Sequence, residues 1–123
     1  MKPTSTYTGN FTYRELDKRF RLMIAPMHME IVVTQDMKIP AGVWKLDTGI
    51  HIVPGYMQLI DCNGNPDLYV SNRLFVYQFI YTTDATVSLT IHAEYDMIIP
   101  AETTIANLTP FLAAYDKIEA VKM

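Results

Sequence analysis

The hydrophobic pattern is clearest between residues 86 and 95, where Val87, Leu89, Ile91, Ala93 and Tyr95 alternate with Thr86, Ser88, Thr90, His92 and Glu94. A strict period of two predicts a strand with one buried face and one wet face. Residues 73–81 behave differently. Leu74, Val76 and Ile80 point one way, and Phe75, Tyr77, Phe79 and Tyr81 the other. A strand apolar on both sides is expected to be covered on both, by a second layer or by a partner. Further strands are predicted over 29–34, 43–47, 50–53, 56–61 and 68–71. Turn signals divide them: Pro40-Ala41-Gly42, Thr48-Gly49, Pro54-Gly55 and Asn63-Gly64.

The two ends depart from this rhythm. Residues 1–10 are polar and rich in Thr, with a break at Gly9-Asn10, and predict an extended arm. Thr12-Tyr13-Arg14-Glu15 fits a capping box, with Leu16 and Phe20 spaced i and i+4 behind it, so one or two helical turns are expected over 13–20. Near the other end, Thr109 can cap and Pro110 can take the first helical position. The stripe Phe111, Leu112, Tyr115, Ile118, Val121 then predicts a helix over about 110–122. Such a helix would cover an open sheet face or dock on a neighbour.

Short strands about ten residues apart, with turns between them, predict a mainly β chain. The expected form is a two-layer antiparallel sandwich or jelly-roll-like domain over 11–123, with the arm before it and a short C-terminal helix. One internal repeat fits a double Greek key. Asp36-Met-Lys-Ile-Pro-Ala41 recurs sixty residues later as Asp96-Met-Ile-Ile-Pro-Ala101, each time after a strand.

Composition narrows the function. Half of the 123 residues are hydrophobic, enough for one independent core, and 19% are charged against a norm of about 25%. The surface is therefore poorly equipped to repel neighbours. A net charge of -3 argues against a nucleic-acid partner held by bulk positive charge. The single cysteine, Cys62, cannot form an intrachain disulfide. The start of the chain shows no apolar signal region, and no apolar run approaches the ~20 residues of a membrane span. The expectation is a soluble protein made in a cytoplasm, with no membrane partner.

The candidate chemistry is thin. His28-Met29-Glu30 and His92-Ala93-Glu94 each place an imidazole and a carboxylate on one side of a strand. Were the strands neighbours, those groups and His51 could hold zinc or iron as in a cupin-like enzyme, although the spacing differs from the cupin pattern. Two polar outer faces explain the same residues. Asp61-Cys62-Asn63-Gly64-Asn65 resembles the start of an EF-hand loop but has Pro66 at the sixth position and Asn72 at the twelfth, so a hairpin turning at Asn63-Gly64 is preferred. Nucleophile-elbow, phosphate-loop and dinucleotide signatures are missing, so no enzyme activity, cofactor or metal is expected.

What remains points to assembly. Of eight Met, Met29 and Met57 suit core positions; of eight Tyr, Tyr7, Tyr13, Tyr56 and Tyr69 are candidate contact residues. Residues 14–21 carry four of the ten bases and only two of the thirteen acids, on an otherwise acidic chain. Arg14, Lys18, Arg19 and Arg21 could therefore dock on an acidic patch of a like molecule. Phe111 and Tyr115 of the expected helix complete the candidate interface. The function expected is that of a structural subunit bound to copies of itself or to a larger structural protein, such as a capsid decoration or minor capsid protein within a virion. A small-ligand or carbohydrate-binding β module using Trp44 and Tyr56 is the second expectation, and the cupin-like enzyme the third.

Overall fold

In the computed structural model, residues 8–54, 59–110 and 117–123 are described. Twelve strands and one helix follow in order: β1 Thr8–Glu15, β2 Phe20–Ile24, β3 Met29–Val33, β4 Met37–Ile39, β5 Gly42–Pro54, β6 Ile60–Gly64, α1 Pro66–Asn72, β7 Leu74–Val76, β8 Phe79–Tyr81, β9 Ala85–Ala93, β10 Met97–Ile99, β11 Thr104–Pro110 and β12 Lys117–Lys122. One five-stranded sheet has the order β12-β1-β5-β9-β7 and another the order β2-β3-β11-β6-β8, while β4 and β10 form a separate ribbon. Pairing is antiparallel except between β1 and β12, which run parallel. Both sheets and the ribbon send side chains into one buried cluster. Phe11, Ile50, Ile52, Val87, Leu89 and Ile91 come from the first sheet, and Phe20, Met29, Ile31, Ile60 and Leu108 from the second.

β9 follows its pattern: Val87, Leu89, Ile91 and Ala93 are buried, while the residues between them are partly exposed. The segments 43–47 and 50–53 are a single strand, β5, whose register with β9 shifts between Asp47 and His51. That interruption sits at Thr48-Gly49. A bulge there turns the strand without ending it. The buried Thr48 hydroxyl donates to the Val87 carbonyl at 2.7 Å and accepts from the Ile50 amide at 3.2 Å.

Several expected elements take another form. The helical turns over 13–20 are absent: β1 runs on to Glu15, and its carboxylate accepts from the Leu22 amide at 2.7 Å rather than closing a capping box. Residues 68–71 are helix, not strand. Asn65 accepts from the Asp67 amide at 3.0 Å, Pro66 occupies the first turn, and Arg73 ends α1 in the left-handed region at φ 56°. Asn63-Gly64 consequently closes β6 instead of turning a hairpin. The doubly apolar stretch 73–81 splits into β7 and β8, which belong to different sheets. Its two apolar sides reflect that change of sheet, and Tyr77, Phe79 and Ile80 are exposed.

The expected C-terminal helix is also corrected. Pro110 ends β11, and 117–122 is a strand beside β1. Ile118 and Val121 would share a helical face; in β12 they have opposite parity, so Ile118 is buried and Val121 exposed. Residues 111–116 lie outside the described residues. Thr8, Gly9 and Asn10 pair with Lys117, Ile118 and Glu119, so the expected arm 1–10 gives its last three residues to β1.

The repeat has a structural meaning. Its two copies form the ribbon, Met37 pairing with Ile99, Lys38 with Ile98 and Ile39 with Met97. The Ala41 amide donates to Asp96 Oδ1 at 2.8 Å, and the Ala101 amide donates to Asp36 Oδ1 at 2.9 Å. Each aspartate thus caps the other copy's turn. The strands flanking the copies exchange in the same way: β9 pairs with β5 in one sheet, and β3 with β11 in the other. Even the backbone agrees, since Gly42 and Glu102, sixty residues apart, both have positive φ.

Candidate functional site

The basic segment lies on the turn between β1 and β2. Asp17 accepts from the Arg19 amide at 2.9 Å, a local side-chain-to-backbone bond that shapes the turn. The same carboxylate takes the Arg19 guanidinium through Nε at 3.0 Å and Nη2 at 2.7 Å. These Arg19 bonds hold the Asp17 carboxyl below the usual carboxylate range. Arg19 also lies over the Phe20 ring, 5.6 Å from its centre. Arg21 is paired across the surface with Glu102 at 2.5 Å, and Lys122 with Glu15. Arg19 and Arg21 therefore spend their charge on their own domain, while Arg14 and Lys18 are exposed. A groove of about 370 Å³ opens here, lined by Glu15, Leu16, Lys18, Arg21 and Lys122 among others.

The remaining candidate contact residues divide. Tyr13 is buried beside Phe11, their ring centres 5.9 Å apart, so its area is already used inside the fold. Tyr69 is exposed and stacks obliquely on Phe75 at 4.4 Å, with the Arg73 guanidinium 5.5 Å from its ring. Tyr7, Tyr56, Phe111 and Tyr115 lie outside the described residues. Trp44 is 45% exposed, and its indole is fixed by a 2.8 Å bond from Nε1 to the Pro40 carbonyl.

The two His-x-Glu pairs stand on different sheets. At the start of β3, His28 Nε2, just before the strand, lies 3.2 Å from Glu30 Oε2, while Glu30 Oε1 accepts from the Thr104 hydroxyl at 2.5 Å. On and just after β9, His92 stacks on Phe75 at 5.8 Å and Glu94 takes Arg73 Nε at 3.2 Å. His51 lies 3.2 Å from the Thr86 hydroxyl. Among the described residues no three His, Cys, Asp or Glu side chains are grouped to hold a metal ion. Asp61 is engaged by Asn63 Nδ2 at 2.9 Å and Gln78 Nε2 at 3.0 Å, and Asn65 caps α1, so the oxygens of that loop serve the fold. Cys62 is buried; desolvation, with Asp61 adding to it, pushes its thiol pKa up to about 12.

The feature that the sequence left concealed is the apolar character of the sheet margins. Met23 and Ile24 on β2, Phe79 and Ile80 on β8, and Val121 on β12 are exposed, and among the described residues all three strands terminate a sheet. Met27 and Met123 extend the same character beyond the strands. The signal for Phe79 and Ile80 is the doubly apolar pattern, which predicts cover on both sides by a second layer or by a partner. Compared with protein-family models and with curated proteins, the chain matches none of them. No helix among the described residues is long and apolar enough to cross a membrane.

Proposed function

We propose that the chain is a structural subunit of a larger protein assembly, and that its margins are where it meets its neighbours. The observation that carries this reading is the exposure of large apolar side chains on three strands that terminate their sheets. Part of the outer backbone here is occupied, the Leu22 amide by Glu15 and the Ile118 amide by the Pro26 carbonyl, so the exposed side chains carry the reading. Natural domains normally protect such strands with charge or cover them. Here the low charge density of the chain leaves that protection weak. We read the two five-stranded sheets with their shared core as a sandwich of jelly-roll-like type, and the subunit as one that decorates or completes a virus or phage capsid. Its partners would be copies of itself or a larger structural protein, with the arm and the basic turn, through Arg14 and Lys18, adding contacts.

The mass of the native chain in solution tests this reading. Sedimentation of the full chain should give a multiple of 14.1 kDa. Removing residues 1–7, which stops short of the β1–β12 pairing, should lower that mass while leaving thermal stability within about 0.5 kcal/mol. Association of the native chain should slow as salt is added, because exposed charges are screened over about 8 Å at physiological ionic strength. Charge reversal by Arg14→Glu with Lys18→Glu should slow association at low salt and flatten or invert that salt dependence. A monomer at every concentration overturns the proposal.

A further inference from the structure

The outer face of the first sheet carries a groove whose floor the assembly reading does not use, although Phe79 and Ile80 on its wall are among the margin residues named above. The pairing of β5 with β9 sets Lys45 directly opposite Thr90. The two-residue period of β9 brings Thr86, Ser88 and Thr90 to that same outward side, since Val87, Leu89 and Ile91 are buried. β8 and the turn after it rise beside this row and enclose a groove of about 480 Å³. Phe79 stands on its wall, 56% exposed and braced against the Tyr81 ring at 4.8 Å. The wall is tied to the floor: the Tyr81 hydroxyl donates to the Ser88 carbonyl at 3.3 Å and accepts from the Ser88 amide at 3.2 Å.

The groove's chemistry is unspent. Among the described residues, the Ser88 and Thr90 hydroxyls make no hydrogen bond and the Lys45 ammonium has no ion pair. An aromatic wall thus faces a row of small donors and acceptors. A strand of peptide is a poor match, because its partners would be backbone groups. Those of Ser88 are taken by Tyr81, and the Thr90 carbonyl accepts from the Tyr77 amide at 2.9 Å. A strongly anionic ligand is also a poor match, because Lys45 is the one cation among the groove's lining residues. A sugar ring fits both sides. Its C–H face is apolar and weakly positive, suited to an aromatic face, while its hydroxyls both donate and accept. We propose that this groove binds a neutral saccharide of one or two rings, with Phe79 stacking on the ring and Ser88, Thr90 and Lys45 bonding its hydroxyls. The volume lies within the range of small-ligand sites, about 300–1,000 Å³.

The test is a titration of the full chain with maltose, cellobiose and N,N′-diacetylchitobiose, followed by NMR of the backbone amides. At least one disaccharide should shift Thr86, Ser88 and Thr90 saturably, with a dissociation constant of order 1 mM. Thr90→Val, which keeps shape and strand propensity, and Phe79→Ala should each weaken that binding about fivefold. Three results overturn the proposal. The first is no shift with any of the three sugars up to about 50 mM, well above a millimolar constant. The second is binding of unchanged strength in Thr90→Val. The third is an equal response to sodium phosphate or to an extended synthetic octapeptide.

Discussion

Gly49 shows how little freedom single positions can have in this fold. Its φ is +65°, and a Cβ built there would lie 2.5 Å from Asp17 Cβ and 2.8 Å from the Asp17 amide nitrogen. Its carbonyl accepts from the Leu16 amide at 2.7 Å, so the bulge of β5 and the turn after β1 are in contact through backbone. Gly49→Ala should lower the free energy of unfolding by at least about 1–3 kcal/mol, the cost of the left-handed conformation alone, as urea denaturation would read. Cys62 sets a different constraint, one of pH. Its thiol stays protonated in the folded protein up to about pH 12, whereas in the unfolded chain it ionises near pH 8.5. Between those values the unfolded state binds fewer protons than the native state, so stability falls as pH rises. The slope from this one group approaches 1.4 kcal/mol per pH unit, roughly, at its steepest. Denaturation at pH 7.5 and pH 10 should show a larger loss for the native sequence than for Cys62→Ala.

At the scale of elements, the ribbon makes the sharpest demand. If Asp36 and Asp96 are equivalent, Asp36→Ala and Asp96→Ala should cost similar amounts, about 0.5–1.5 kcal/mol each, since each removes one bond to an amide of the other copy. A clear cost from one substitution and none from the other would show that the repeat is equivalent in sequence only. The regular alternation was legible in the chain: β3 and β9 sit where it places them, whereas β5 runs on as one strand through the turn signal at Thr48-Gly49. Elements set by contacts across the fold were not. Glu15 fits a capping box as well as a strand end, and the choice falls to Leu22, whose amide it accepts. The pattern over 68–71 suits a strand, yet Asn65 and Pro66 give α1 its start. β12 could be read as a helix because a stripe of Phe, Leu, Tyr, Ile and Val does not reveal that Thr8–Tyr13 lies ready to pair with it.

For the whole molecule, the surface tells more than the interior. The core explains stability, but its aliphatic residues could serve any function. The positions that separate one function from another are Met23, Ile24, Phe79, Ile80 and Val121 at the margins, together with the hydroxyl row of β9. Alternation alone could find the hydroxyl row. It could not show that β8 would stand beside it, because that neighbour depends on the chain leaving one sheet at Val76 and entering the other at Phe79. The candidate charges were similarly half legible. The cluster 14–21 is plain in the sequence, whereas the neutralisation of Arg21 by Glu102 joins residues far apart in the chain.

The reciprocal capping of the repeat has a temporal side. The first copy, Asp36–Ala41, leaves the ribosome sixty residues before the second. At synthesis rates of 5–20 residues per second, that is a wait of roughly 3–12 s. During it, β4 has no ribbon partner, and β3 and β5 lack the neighbours that β11 and β9 will provide. The nascent first half therefore carries unpaired apolar strands through much of its synthesis. Productive folding has to be late: the ribbon closes only when Asp96 reaches the Ala41 amide, and the second sheet only when β11 follows. A chain stalled before that point is the form most exposed to aggregation and to chaperone capture.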